Sequence, residues 1–236
     1  MKKIFKILGK LVLGIFVILL LLFAFVYIKY NEDLPEGTKS TEADRLAQKM
    51  LTAVNHDAYK NTRYLSWTFP GGHHYLWDKD QYKVDVSWNN IKVALDLEQS
   101  NKSIVFIDGK PIEGTEKSEH IEKALSFFNN DSFWLVAPHK VFDEGVSRSI
   151  VTTENGEKRL LVTYNSGGTT PGDSYLWYLD ENGRPKGYQM WVKIIPIGGL
   201  YASWEDWQTM ESGVPLSGLH SLLVLDIDLE NIKAWN

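Results

Sequence analysis

The sequence predicts an α+β protein in which a long antiparallel meander forms a half-open barrel, capped by helices and preceded by one transmembrane helix. Three observations lead to this prediction. An uncharged apolar run of 18 residues, Leu11–Ile28, lies near the N-terminus. From Arg63 onward, the hydrophobic pattern changes to the period of two that is typical of strands. Turn-forming pairs such as Asn155-Gly156 separate these segments, and short turns join antiparallel neighbours.

The apolar run is predicted to be a membrane anchor. Eighteen helical residues span roughly 27 Å, close to the hydrocarbon thickness of a bilayer. Lysines precede the run and acids follow it, so the positive-inside rule places the N-terminus in the cytoplasm and the main domain outside. A cleaved signal peptide is the alternative. The length of the run and the lack of a small-x-small site at its end favour the anchor.

The predicted organisation has three parts. Residues 1–29 form the cytoplasmic tip and the anchor, residues 30–40 form a linker, and residues 41–236 form the outer domain. In the outer domain, apolar residues at helical spacing predict an amphipathic helix over Thr41–Asn55, with Thr41 as its N-cap. A second helix is predicted over Glu116–Phe128.

The rest of the outer domain is predicted to contain about eleven strands. We expect Asn129 and Asn130 to end the second helix, and a short helical turn to follow and finish before Pro138. No alternation of strands and helices is visible, which argues against a parallel α/β fold. Asp226 and Asp228 alternate with apolar residues and are expected on a solvated strand face.

Charge and composition exclude several classes of protein. Residues 1–29 hold five lysines and no acid, which leaves 20 basic against 30 acidic side chains in the rest of the chain. This acidic balance argues against nucleic acid as a partner, because phosphate binding needs a basic surface. The chain has no cysteine, which excludes disulfides, thiol catalysis and attachment of lipid through cysteine.

Motifs that could carry catalysis are weak. His73 and His74 are adjacent on a predicted strand and point to opposite faces, so they cannot both bind one metal there. The segment that ends in Ser174 resembles the nucleophile block of one lipase class, but the G-x-S-x-G elbow is missing. We therefore predict no catalytic residue, no metal ligand and no cofactor, and we expect a protein that is not an enzyme.

The aromatic residues are more informative. All nine tryptophans lie beyond residue 60, spread over nearly every predicted element. They either fill a large core or line a concave sheet that holds an apolar ligand, and the spacing leaves both readings open. The residues expected to line such a cavity are Leu51, Trp67, Trp88, Phe106, Phe128, Trp134, Trp177, Met190 and Trp204.

Three stretches, residues 130–146, 171–191 and 204–217, together with the order of helices and strands, resemble the lipoprotein-carrier (LolA/LolB-like) superfamily of bacterial envelopes. Within it, the chain is similar to an uncharacterised, membrane-anchored branch, over roughly residues 42–230. The resemblance implies a curved sheet whose apolar cavity holds acyl chains, in the bacterial periplasm. It also implies a buried arginine that latches the lid, for which Arg63 is the nearest counterpart.

The resulting hypothesis is a membrane-tethered envelope protein that binds a lipid, or the acyl chain of a lipoprotein, in the concave face of its sheet. The alternative is a non-catalytic scaffold or interaction module of an envelope complex. Known carriers are soluble or attached through a lipidated cysteine, whereas this chain has an apolar helix, so both hypotheses remain. A cavity that enters the sheet would favour ligand binding. A filled core with an exposed apolar patch would favour the interaction module.

Overall fold

The computed structural model describes residues 2–236, with side chains from Lys6 onward. The helices are α1 (Lys2–Tyr30), α2 (Thr41–Ala53), α3 (His56–Asn61) and α4 (Thr115–Val136), with short 3-10 turns at Ser100–Lys102 and Ala137–Lys140. The strands are β1 (Tyr64–Phe69), β2 (His73–Asp78), β3 (Lys83–Trp88), β4 (Ile91–Asp96), β5 (Ile104–Ile107), β6 (Lys110–Pro111), β7 (Val146–Thr152), β8 (Lys158–Tyr164), β9 (Ser174–Leu179), β10 (Pro185–Trp191), β11 (Leu200–Ser203), β12 (Glu205–Thr209), β13 (Pro215–Leu222), β14 (Leu225–Asp228) and β15 (Glu230–Trp235).

The strands form two antiparallel sheets. The first sheet has the order β15-β1-β2-β3-β4-β5-β6, and the second has the order β12-β13-β11-β10-β9-β8-β7 with β14 paired to β13. Neither sheet closes on itself in the part of the chain that the structure describes. The predicted α+β class and half-open antiparallel architecture are therefore confirmed. The last strand, β15, pairs with β1, so the two ends of the strand series meet in the first sheet.

The core lies between the two sheets and beneath α2 and α4. Alternate residues of each strand point inward, and together with the apolar faces of the two helices they form one contiguous buried cluster. The bulkiest side chains with almost no exposed surface are Trp67, Trp177, Tyr188, Met50, Leu65, Leu95 and Leu135. The concave side of the structure is thus filled by side chains from both sheets.

Two of the differences from the predicted helix boundaries have a clear physical cause. Ser40, rather than Thr41, is the N-cap of α2, because its hydroxyl accepts a hydrogen bond from the Ala43 amide at 3.4 Å. The prediction that α4 ends at Asn129 and Asn130 is wrong, since α4 continues to Val136. The local signal of two asparagines is overridden because the next turn of the helix makes tertiary contacts.

Asp131 makes the most important of these contacts. Its buried carboxylate accepts a hydrogen bond from the Tyr75 hydroxyl at 2.5 Å and lies 2.8 Å from His73 Nδ1. The side-chain amide of Asn130 donates to the other carboxylate oxygen at 2.8 Å. Because His73 and Tyr75 both belong to β2, this network fixes the C-terminal third of α4 to the first sheet. His73 is half-buried and His74 is exposed, as their alternation predicts.

The residues that directly follow α1 are hydrogen-bonded to the second sheet and the loop after β10. Residues Lys6–Tyr30 are long and apolar enough to cross a membrane. Directly after the helix, the Glu32 amide donates to the Gly198 carbonyl at 2.9 Å, and the Trp191 indole donates to the Glu32 carbonyl at 2.8 Å. A side chain at residue 198 would place its Cβ 2.7 Å from that Glu32 carbonyl oxygen, so this contact requires glycine.

Replacement of Asp131 by alanine tests the role of this carboxylate in holding α4. The change leaves the buried Tyr75 hydroxyl and the half-buried His73 imidazole without their partner, and we expect a loss of about 2–4 kcal/mol in the free energy of unfolding. Denaturant unfolding of the full chain in detergent measures this loss. The Ser126→Ala change, at an exposed position of the same helix, is the control and should cost less than about 1 kcal/mol. Equal stability of the two variants would contradict the assignment.

Candidate functional site

Five aromatic side chains meet on the inner face of the second sheet, and we call them the aromatic cluster: Trp134, Trp177, Tyr188, Trp204 and His220. The ring centroids of Trp177 and Tyr188 lie 5.0 Å apart, and those of Trp204 and His220 lie 4.5 Å apart. Trp134 comes from α4 and lies 5.7 Å from Tyr188. The cluster therefore joins α4 to four segments of the second sheet.

The strand geometry explains how these residues converge. Tyr188 on β10 pairs in register with Trp177 on β9, so both point to the same face. Trp204 lies in the break between β11 and β12, where Asp206 adopts a left-handed φ of 50°. The sequence spacing required a break in this strand if Trp204 and Trp207 were both to face inward. Trp204 is buried and Trp207 is half-buried, with ring centroids 5.9 Å apart.

Four polar atoms of the aromatic cluster are buried and have no hydrogen bond of good geometry among the described residues. They are Trp177 Nε1, Tyr188 Oη, Trp204 Nε1 and His220 Nε2. The Trp204 indole and the Tyr188 hydroxyl are polar neighbours of each other, and the Trp134 backbone lies near the His220 ring. The Trp67 indole and the Tyr164 hydroxyl, elsewhere in the interior, also lack a hydrogen bond of good geometry. A buried polar group with no partner at all costs roughly 1–3 kcal/mol.

His220 supplies the acceptor of this set. Its Nδ1 lies 2.9 Å from the Ser203 carbonyl oxygen, so Nδ1 carries the proton and donates. In the neutral ring the other nitrogen, Nε2, is then unprotonated and can accept a hydrogen bond. Burial lowers the pKa of His220 to about 4, against the opposing effect of hydrogen bonds with the backbone of Ser203 and Trp134. The imidazole is therefore neutral at pH 7, and the cluster offers indole donors beside one acceptor.

The structure brings only some of the predicted cavity residues together. Trp134, Trp177 and Trp204 belong to the aromatic cluster, while Trp67 and Phe128 contact each other at 6.4 Å against the first sheet. Further buried residues of the same core are Leu51, Trp88 and Met190. The exception is Phe106, which is half-buried and lies on the opposite face of β5 from the buried Val105. Its neighbour takes the inward position because adjacent strand residues face opposite ways.

Tyr188 and His220 were not among the predicted residues, although both belong to the aromatic cluster. The period of two carries a signal for each of them. Tyr188 shares a strand face with Met190, and His220 follows Leu216 and Gly218 at alternate positions on β13. The prediction gave more weight to tryptophan than to this alternation, and so it omitted both residues.

The rings of the aromatic cluster are in contact, and the surface depressions lie elsewhere. One depression of about 380 Å³ is bordered by α2, α3 and Phe142. Another, of about 440 Å³, is bordered by the start of α2 and by β7. Of the predicted cavity residues, Leu51 lines the first depression, and none lines the second. A ligand in the cluster would therefore require some of its rings to move apart.

A second group of titratable residues lies beside the first depression. His56 Nδ1 and His139 Nδ1 are 3.3 Å apart, and the His139 ring stacks on Tyr59 with centroids 4.1 Å apart. Lys79 donates a hydrogen bond to the Tyr59 carbonyl. Burial lowers the pKa of His139 well below its usual value and that of Lys79 to about 8. These contacts hold α3 against the turn after α4. Among the described residues, no group of three or more potential ligands is placed to bind a metal.

Comparisons with known proteins give little that bears on the function. No protein-family model matches the chain, and no curated protein matches it. A crystal structure of a DUF1329 family protein from Desulfovibrio piger aligns with 83% of this chain and 93% of its own length, at 12% sequence identity and a TM-score of 0.42. At these values the alignment supports no assignment of family, ligand or activity.

The depressed pKa of His220 predicts a loss of stability in mild acid. Below about pH 6.5 the unfolded chain binds a proton on this residue, whereas the folded chain binds it only near pH 4. The free energy of unfolding should therefore fall as the pH drops through this window, by roughly 3 kcal/mol from His220 alone. Replacement by asparagine, which can still donate to the Ser203 carbonyl, should remove that part of the slope.

Denaturant unfolding at pH 7 and pH 4.5 compares the slopes of the wild type and the His220→Asn variant. His74→Asn changes an exposed imidazole and should leave the slope unaltered. If His220→Asn and the wild type lose the same stability between the two pH values, His220 is not held neutral by burial.

Proposed function

We propose that this protein is a membrane-tethered binding protein that holds an amphipathic, lipid-like ligand among the side chains of the aromatic cluster, without catalysis. The observation that carries the proposal is the set of four buried polar atoms without a well-formed hydrogen bond in an otherwise apolar interior. Buried polar groups in folded proteins are almost always hydrogen-bonded, to protein, water or ligand. A ligand that presents its own polar atoms to the cluster would remove the cost of leaving these four unpaired.

The chemistry of the cluster indicates the class of ligand. The indole N–H groups of Trp177 and Trp204 donate, and the unprotonated Nε2 of His220 accepts. A protonated carboxyl or a hydroxyl group next to an ester would satisfy both kinds of atom. The surrounding rings suit a hydrocarbon chain. Each buried methylene contributes about 0.8 kcal/mol, so a chain of about a dozen carbons reaches useful affinity after the cost of association.

The α4 helix is the element that would move to admit such a ligand. Its Asp131 side chain is tied to β2, whereas Trp134, one turn later, covers the aromatic cluster by ring contacts with Tyr188 and His220. A shift of the last turns of α4 would open the cluster while the hydrogen bonds of Asp131 hold the rest of the helix in place. The resemblance to lipoprotein carriers, in which helices close a curved sheet over acyl chains, supports this arrangement.

The α1 helix supplies the tether in this proposal. Its central run is apolar, most of the described side chains in that run are exposed, and lysines lie at its N-terminal end. With the N-terminus in the cytoplasm, the outer domain would lie in the periplasm, where lipids and lipoproteins cross between membranes. The partners proposed are therefore the membrane and a lipid or lipoprotein acyl chain.

A non-catalytic interaction module is the second candidate function. It is favoured by the filled core, the outcome expected for an interaction module, because the rings of the aromatic cluster contact one another on the inner face of the second sheet. In that case the unpartnered atoms would be hydrated, and the outer surface of the domain would bind a partner protein. Ligand binding predicts a lipid in the interior, whereas the alternative predicts water there.

Photo-crosslinking of the full chain in lipid nanodiscs separates the two functions. A fatty acid with a photoactivatable group on its chain should label peptides that contain Trp134 or Trp177, in addition to α1, which contacts lipid in either case. The Trp134→Lys change should reduce the labelling of the outer domain more than tenfold, because an unpaired charge in a dry interior is costly. Labelling of α1 should persist and serves as the internal reference.

The matched control is Leu76→Lys, which adds the same charge at an exposed position on β2. It should leave the labelling of the outer domain unchanged. Wild-type protein with a folded outer domain and crosslinks confined to α1 would exclude the lipid-binding proposal and favour the interaction module.

A further inference from the structure

The hairpin between β13 and β14 ends in an apolar tip, which we call the apolar hairpin tip (Leu222–Leu225). Leu223, Val224 and Leu225 expose 49%, 95% and 65% of their surfaces. Leu222 pairs with Leu225, so the turn consists of only two residues, and Leu223 adopts a left-handed φ of 55°. Two-residue turns with positive φ usually contain asparagine, aspartate or glycine. Neither turn geometry nor core packing accounts for leucine and valine at this place.

The strand register shows at which end of the second sheet the apolar hairpin tip lies. On the sheet, Leu222 pairs with Ala202 of the antiparallel strand β11. Two residues further along, Val224 is therefore level with Leu200, the first residue of β11. Leu200 directly follows the loop between β10 and β11, so the apolar hairpin tip and this loop lie at the same end of the second sheet.

That loop is the part of the domain that holds the end of α1. The Gly198 amide donates to the side chain of Asn31 at 2.9 Å, and the Glu32 amide donates back to the Gly198 carbonyl at 2.9 Å. Asn31 and Glu32 are the first two residues after α1. The same loop also carries Ile194, which exposes 67% of its surface. Because these hydrogen bonds begin at the first residue after α1, this end of the sheet is held next to the point where α1 ends.

We propose that the apolar hairpin tip and Ile194 insert into the interface of the bilayer that α1 crosses, and so fix the outer domain upright against the membrane. This inference rests on the anchor in the proposed function, and it is independent of the ligand. Apolar side chains at the level of a helix exit are the ones that a bilayer interface buries. The proposed partner is thus the lipid surface around the protein's own anchor.

The charges at this end indicate the kind of lipid surface. Lys29 and Lys193 lie near the helix exit, but Glu32 follows the helix directly and Asp226 follows the apolar hairpin tip. The charged side chains are therefore of both signs. Since electrostatic attraction to anionic lipid requires a basic cluster, insertion here relies on apolar burial and should occur equally in zwitterionic bilayers.

A site-specific fluorescence experiment tests the insertion, and the absence of native cysteine makes it simple. Val224→Cys in the full chain is labelled with a polarity-sensitive fluorophore and reconstituted into phosphatidylcholine vesicles. The control is Asn182→Cys, in the turn between β9 and β10 at the other end of the strands, roughly 20 Å away. Lipids with a nitroxide near the headgroup should quench the label at residue 224 at least threefold more than that at residue 182, with or without anionic lipid.

Flotation of the same vesicles separates the possible failures. If the chain floats with the vesicles but both labels are equally solvent-exposed, the insertion is refuted while the anchor stands. If the chain does not float, the anchor and the insertion are both refuted. Protection of the label at residue 224 that grows with the protein-to-lipid ratio would assign the apolar hairpin tip to contact with a second copy, and would also overturn the proposal.

Discussion

Buried polar atoms need partners, and four in the aromatic cluster have no well-formed hydrogen bond. Trp177, Tyr188, Trp204 and His220 each contribute one such atom to a face of the second sheet that is otherwise apolar. Antiparallel register places Tyr188 beside Trp177, and the strand break turns Trp204 toward His220. The fold therefore gathers these polar atoms into one region, and their incomplete pairing is the basis of the proposed binding function.

Both sheets position the α4 helix, but they do so by different kinds of contact. The first sheet holds it by hydrogen bonds from β2 to the carboxylate of Asp131, which have fixed directions. The second sheet holds it by ring contacts of Phe133 and Trp134 with residues of β8, β9, β10 and β13. In the proposed function, the last turn of α4 moves while the hydrogen bonds of Asp131 persist.

Much of the architecture could be predicted from the sequence because periodicity reports on burial. The change of period after Arg63 gave the antiparallel class correctly, and the apolar stripe of α2 predicted that helix to within two residues at its C-terminus. Predictions failed where distant contacts override local signals. Asn129 and Asn130 look like a helix end, but the tertiary bonds of Asp131 carry α4 through them. The orientation of Phe106 depends on one residue of register, which periodicity in a short strand does not fix.

Native mass spectrometry of the full chain, extracted from its own membrane, tests the central claim most directly. If the aromatic cluster holds a ligand, the wild-type chain should retain one lipid-sized adduct after the detergent has been stripped away. The Trp134→Lys variant should lose this adduct and keep only the weakly held lipids that surround α1. Identical spectra for the two proteins, with the bare chain as the main species in both, would contradict a ligand in the cluster and leave its polar atoms to water.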